Sequence, residues 1–173
     1  MPEPVLLKLG GSVLTEKGGP GRIRKENLRM ICQEISVHSR DPLLIIHGAG
    51  SCGHPEAHRF RLMEGLTDHN REGVYVTHQA VSKLNSSVVA ALRNEGIEAI
   101  GMHPLDSCYA EEGRIVSMEC RHIREMLAKG IVPVLHGDVV MDGMRGATVV
   151  SGDQLVSYLG RALRFRRIGL ATD

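Results

Sequence analysis

The sequence predicts an α/β protein built on a mainly parallel sheet, and three observations carry that expectation. Short apolar runs at Val5 to Leu9, Leu43 to Ile46 and Ile131 to Leu135 each stop at a glycine-bearing turn: Gly10-Gly11-Ser12, His47-Gly48-Ala49-Gly50 and His136-Gly137-Asp138. Between the first two runs, Leu28, Ile31, Cys32 and Ile35 recur at helical spacing, so residues 24 to 38 return the chain for a second strand parallel to the first. A right-handed crossover of that kind brings the glycine turns together at the carboxyl edge of the sheet, where open α/β sheets bind ligands.

Taken in order, the first strand carries Lys8 just before its Gly-Gly turn, which aims the ammonium at whatever the turn holds. Lys17-Gly18-Gly19-Pro20-Gly21 reads as a cationic loop able to close over phosphates. The stretch from Leu43 to Pro55 then concentrates the chemistry. Its glycines let backbone N–H groups crowd round an anion, and Pro55 suits a first helical position, which would set His54 beside the positive end of a helix dipole. A phosphate is the expected occupant.

Other readings of that stretch are set aside on its surroundings. Gly48-x-Gly50-x-x-Gly53 has dinucleotide-fingerprint spacing, but the acidic residue at the right distance, Asp68, sits in a loop-like context rather than at a strand end. Gly48 to Pro55 also keeps P-loop spacing while lacking its lysine and magnesium-binding hydroxyl residue. His54 and His58 are four apart, yet Glu56 is misplaced for a metalloprotease and no third ligand is evident, so no metal site is expected and His58 reads as a helix-surface residue.

Further on, residues 63 to 72 are polar and aperiodic. Val81, Leu84, Val88, Ala91 and Leu92 then mark a long helix, for the core or for a dimer contact, stopped by Gly96 in a left-handed conformation. Ala99 to Met102 is a strand candidate, and Glu111-Glu112-Gly113 turns the chain into a short strand from Arg114 to Ser117. A helix from about Glu119 to Ala128 closes on Gly130, and Asp142-Gly143 signals a hairpin. Thr148-Val149-Val150 leads into Ser151-Gly152-Asp153, where Asp153 serves either to cap the next helix or to bind a ligand. Ile168 to Ala171 is a strand with no crossover helix or partner strand after it, so the fold is expected to be unfinished at Asp173.

Composition bounds the partners. With 173 residues, 42% hydrophobic and 24% charged, the chain suits one well-cored domain or a portion of a larger one. A net charge of +1 and 3% aromatic content argue against nucleic-acid binding. No apolar run approaches the roughly 18 residues of a membrane span, and Met1-Pro2-Glu3-Pro4 lacks a signal-peptide pattern, so a cytoplasmic protein with no membrane partner is expected. Cys32, Cys52, Cys108 and Cys120 are widely spaced, as packing residues in a reducing compartment would be.

Lys8-Leu9-Gly10-Gly11-Ser12, Lys17, the run His47 to Pro55, Gly137-Asp138-Val139-Val140, Ser151-Gly152-Asp153 and Ala171-Thr172-Asp173 together resemble the amino-acid kinase superfamily along the whole chain. The histidine after the second glycine loop points within it to the isopentenyl phosphate branch, whose members use ATP to convert isopentenyl phosphate to isopentenyl diphosphate in an alternative mevalonate pathway. The resemblance implies an open αβα sandwich, a homodimer, and ATP with Mg²⁺. It assigns Lys8, Gly10, Gly11 and Ser12 to the ATP phosphates, Lys17 to transition-state stabilisation, Ala49 and His54 to the acceptor phosphate, Gly50 to both phosphate groups, Gly152 to substrate and Asp173 to nucleotide. Cys52 stands where the family usually has an aromatic residue, which affects either the packing of the loop or the pocket for the isoprenoid tail. Residues 1–173 would then be the acceptor-binding portion, with the nucleotide lobe beginning near the end and missing, and the isolated chain inactive. The alternatives are a sister kinase for acetylglutamate, uridylate, carbamate or a phosphonate, and a noncatalytic phosphate-binding or dimerisation module.

Overall fold

A computed structural model of the protein describes residues 3–16, 21–38 and 41–172. Strand β1 (Val5–Leu9) leads through a single helical turn, α1 (Gly11–Leu14), to helix α2 (Lys25–His38) and strand β2 (Leu43–His47). Helix α3 (Gly50–Arg59), a 3-10 turn at Leu62–Glu64 and the long α4 (Glu72–Asn94) follow, then β3 (Ala99–Gly101), the short α5 (Pro104–Ser107), β4 (Cys108–Glu111) and β5 (Arg114–Met118). Helix α6 (Arg121–Ala128), strands β6 (Val132–His136), β7 (Asp138–Asp142) and β8 (Gly146–Val150), helix α7 (Gly152–Ala162) and β9 (Arg167–Ala171) complete the described chain.

Five strands form the expected sheet, in the order β3-β6-β2-β1-β9, and every neighbouring pair is parallel. All five residues of β2 are buried, because helices cover both faces and leave no side for polar residues. Leu44 and Ile46 face a core shared with Ile123 and Leu127 of α6 and Leu155 and Leu159 of α7. Leu43 and Ile45 face the opposite core, with Cys32 and Ile35 of α2 and Leu84, Val88 and Leu92 of α4. The result is the open three-layer sandwich that the resemblance implies.

The second sheet is a finding beyond the sequence reading, which placed the hairpin and β5 but not β4. Its order is β5-β4-β7-β8, with a parallel β4–β7 pair between two antiparallel ones. Glu112 and Gly113, both with positive φ (50° and 79°), form the two-residue turn joining β4 to β5. Asp142 shapes the β7–β8 turn by accepting hydrogen bonds from the N–H groups of Met144 and Arg145. Because only Gly137 separates β6 from β7, this small sheet grows directly out of the carboxyl edge of the large one. Gly96 and Gly130 stop their helices with φ of 79° and 72° as expected, while α4 begins at Glu72, inside the polar stretch read as aperiodic. Among the described residues no helix is long and apolar enough to cross a membrane.

Candidate functional site: a glycine-lined anion cradle

The two glycine turns meet at the carboxyl edge, as the crossover argument requires. Gly48 N–H donates to Leu9 O at 3.0 Å, and Gly137 N–H to His47 O at 3.0 Å, so the sheet's hydrogen bonding runs on past the strand ends into the loops. A Cβ at Gly11 would lie 2.5 Å from Gly50 N, and one at Gly48 would lie 2.8 Å from Gly11 N. Only glycine permits such a backbone-to-backbone approach. Thr15, itself buried, fastens the loops by donating its hydroxyl to Gly11 O at 2.8 Å and accepting Ser51 N–H at 3.0 Å.

Helices α3 and α7 both start from this edge, so their N-terminal N–H groups and positive dipole ends converge there. Gly137 leaves open a point 3.3 Å from Gly152 N and 3.7 Å from Ala49 N. Next to it, Gly11, Ser12, Thr15, Gly50, Ser51 and His54 line a cavity of about 450 Å³. The cradle therefore brings together Gly10, Gly11, Ser12, Ala49, Gly50, His54 and Gly152 from three separate stretches of chain. Lys17 and Asp173 lie outside the described residues.

Lys8 shares the face of β1 that carries Leu6, turned toward α7, and its ammonium pairs with Asp153 at 2.6 Å. That pair corrects the capping role considered for Asp153. The cap of α7 is Ser151, whose hydroxyl accepts Gln154 N–H at 3.2 Å, and Asp153 in the first turn is left to hold Lys8 at the cradle's rim. A second correction concerns Pro55. Helix α3 starts at Gly50, whose φ is 52°, so Pro55 and His54 lie inside the first turns rather than at the start. The glycine turn is tight enough to let the helix begin earlier, and Pro55 removes one helical donor at the cost of one bond. His54 is nevertheless exposed toward the cavity, and His58 is exposed on the surface as expected. Cys52 Sγ approaches Gly21 O at 3.5 Å and packs against the α2 side of the core, which places its effect in loop packing. Burial raises its thiol pKa.

Sequence reasoning missed a group of buried polar side chains behind the cradle. His47 and His136, fully buried at the ends of β2 and β6, stack with ring centroids 5.6 Å apart. His136 Nε2 lies 2.8 Å from His103 Nδ1, and His78 on α4 reaches Asp138 at 3.0 Å and Ser82 Oγ at 3.3 Å. Desolvation pushes the His136 pKa down to about 3, lowers that of His47, and raises that of Asp138 to about 6. The signal was present as a repeated apolar-strand, histidine, glycine sequence at residues 47–48 and 136–137.

The chain matches known proteins along nearly all of its length. A model of the amino acid kinase family covers residues 3–173. Isopentenyl phosphate kinase of Methanothermobacter thermautotrophicus is 42% identical over 98% of this chain and 66% of its own, and that of Methanocaldococcus jannaschii is 32% identical over 97% and 68%. An X-ray structure of isopentenyl phosphate kinase superposes with a TM-score of 0.95 at 40% identity, over 99% of this chain and 72% of the other. The chain thus spans about two thirds of the length of the curated relatives it matches.

Proposed function

Since this chain belongs to the amino acid kinase family, we propose that it serves the ATP-dependent phosphorylation of isopentenyl phosphate to isopentenyl diphosphate, with residues 3–172 supplying the acceptor side of the site. The observation that carries this reading is the cradle, in which N–H groups of Ala49, Gly50 and Gly152 converge beside His54 and the Lys8–Asp153 pair. Relatives named for this reaction, matched at up to 42% identity, support it.

The acceptor is already an anionic phosphate oxygen, so no general base is needed; the protein's task is to neutralise charge and align that oxygen with the γ-phosphorus of ATP. Ala49 and Gly152 N–H groups with His54 hold the acceptor phosphate, and His54 selects phosphate through a charge-assisted hydrogen bond. Gly10, Gly11, Ser12 and Gly50 bind the ATP phosphates, with Lys8 held at hand by Asp153. Lys17 stabilises the phosphoryl group in transit and Asp173 contacts the nucleotide; both roles rest on the resemblance. Mg²⁺ would come with the nucleotide and would offset the charge on its phosphates; among the described residues no group of three or more His, Cys, Asp or Glu could hold it. The apolar cluster of Phe60, Leu62, Leu66, Val74, Val139 and Val149, on the same edge, suits the isoprenoid chain. The reading includes a cytoplasmic homodimer, with the exposed face of α4 around Tyr75 and Gln79 as its contact.

A panel of acceptors offered with ATP to the natural full-length protein tests the proposal. ADP should form with isopentenyl phosphate and not with acetylglutamate, uridylate, carbamate or fosfomycin. Turnover with one of those acids and none with isopentenyl phosphate would replace this reading with that of a sister kinase.

A further inference from the structure

The two buried histidines behind the cradle stand in the same relation to it. Each is the last residue of a central parallel strand, each is followed by a glycine, and each sets Nδ1 3.0 Å from that glycine's carbonyl oxygen: His47 on Gly48 O, His136 on Gly137 O. A carbonyl only accepts, so Nδ1 must carry the proton in both rings. In a planar trans peptide the C=O of residue i and the N–H of residue i+1 point in opposite directions. Holding Gly48 O toward the α4 side therefore turns the Ala49 N–H the other way, into the cradle. That N–H has no partner among the described residues.

We propose that His47 and His136 are positioning residues for the anion cradle, His47 by fixing the Gly48–Ala49 peptide so that its N–H faces the acceptor phosphate, and His136 by fixing the neighbouring Gly137–Asp138 peptide against which it rests. This rests on the reading of the cradle as an acceptor-phosphate site. The surroundings fit rings that give their Nδ1 proton to a carbonyl and stay neutral. His136 Nε2 is then an acceptor, which His103 Nδ1–H fills at 2.8 Å. His47 Nε2 is likewise an acceptor, and its neighbour at 3.1 Å is the Asn85 side-chain oxygen; the contact is satisfied when that amide is turned over to present its NH₂ group. The alternative, an Nε2–H on His47 donating to the Asn85 oxygen, would leave two lone pairs facing at Nδ1 and Gly48 O and would release the peptide.

The titratable groups nearest the pair are His103, ahead of α5 and in contact with His136, and His78 of α4; behind them stand Asp138 of β7 and Ser82 of α4, both on His78, and Asp106 of α5, near His103. Asp138 is engaged by His78 Nδ1 and by the N–H groups of Leu105 and Val139 rather than by either histidine of the pair. Ser82, His78 and Asp138 are linked by hydrogen bonds, but Ser82 lies in mid-helix, where the neighbouring N–H groups are engaged in helical bonds and not available to an oxyanion.

Two measurements on the full-length protein decide the matter. Nitrogen-15 correlation spectra of the imidazole rings should show the Nδ1–H tautomer for both His47 and His136; an Nε2–H tautomer at His47 would overturn the proposal whatever the ligand. Binding of inorganic phosphate and of isopentenyl phosphate, by calorimetry, should then weaken about tenfold or more in His47→Leu, the loss expected for one hydrogen bond to a charged group. His47→Asn, whose amide nitrogen falls near the Nδ1 position, should restore binding to within about threefold of wild type if donation to Gly48 O is what matters. A role in packing alone predicts the reverse order, since Leu fills the volume and Asn does not, and that order would overturn the proposal. If wild type binds isopentenyl phosphate no tighter than phosphate, the isoprenoid reading fails while the Leu and Asn variants still decide on phosphate. If it binds neither anion, both fail together.

Discussion

In the proposed reading acceptor choice turns on His54, because it stands exposed at the rim of the cavity while the other contacts proposed for the acceptor phosphate are backbone N–H groups, which do not tell one anion from another. His54→Ala in the full-length protein should raise the Michaelis constant for isopentenyl phosphate by roughly 10- to 150-fold, the equivalent of about 1.5–3 kcal/mol for a charge-assisted hydrogen bond, with that for ATP nearly unchanged. Steady-state kinetics with each substrate varied in turn checks this, and an unmoved acceptor constant removes His54 from the role. Gly50 makes the opposite demand, for no side chain at all. Its φ of 52° and the 2.3 Å between a would-be Cβ and Thr15 Oγ1 mean that Gly50→Ala must push the two glycine turns apart. Phosphate binding should be lost in calorimetry while circular dichroism reports an intact fold; retained affinity would show that the turns are not a cradle. Lysines and glycines of this kind were legible in the sequence because their chemistry is written in residue type. His47, Asn85 and Thr15 were not, since a buried polar side chain looks like any other until its partners, 38 residues away for His47 and Asn85, are known.

At the level of elements, the inner strands β2 and β6 could be read because burial along their whole length leaves an unmistakable apolar run, and the helices because they carry an apolar stripe. Strand β4 could not, because Cys108-Tyr109-Ala110-Glu111 is short and pairs with a distant strand, Tyr109 with Met141 of β7, a register set by the packing of the small sheet rather than by local pattern. The start of α4 was hidden for a related reason: its first turns bury Gly73 and Thr77, residues that carry no apolar signal. Helix α7 offers a clean energetic test. Ser151→Ala removes the hydroxyl that accepts Gln154 N–H and should lower stability by about 1 kcal/mol, read as a shift in the urea midpoint with unchanged slope. Asp153→Ala, removing no cap, should leave stability within about 0.5 kcal/mol, as a partly exposed ion pair implies, but free Lys8 from its tether. If the two variants exchange behaviour, the cap has been assigned to the wrong residue.

For the molecule as a whole, buried ionisable groups set the response to acid. His47 and His136 have folded pKa values below the unfolded histidine value, that of His136 falling to about 3. Below about pH 6.5 the unfolded chain therefore takes up protons that the folded one refuses. The His136 contribution is full above that pH and falls toward pH 3 by about 1.4 kcal/mol per pH unit, and His47 acts in the same direction. Asp138 works in the other direction: raised to about 6, it is costly when charged, and its contribution is present at low pH and lost as pH rises through 6. Between about pH 4 and 6 it cancels one histidine, so Asp138→Asn should steepen the acid limb there by about 1.4 kcal/mol per unit. Urea midpoints collected across that range measure the slope directly, and an unchanged slope would mean that Asp138 is no more costly to charge folded than unfolded. The sheet order has a consequence in time. Strand β1 lies between β2 and β9, and Val5 pairs with Arg167, so during synthesis β1 waits for a neighbour made some 160 residues later. At roughly 5–20 residues per second that is a delay of about 8–30 seconds. Throughout it, one flank of the nascent sheet stays open to other chains, and Gly10 lacks the Ala171 carbonyl that anchors its turn.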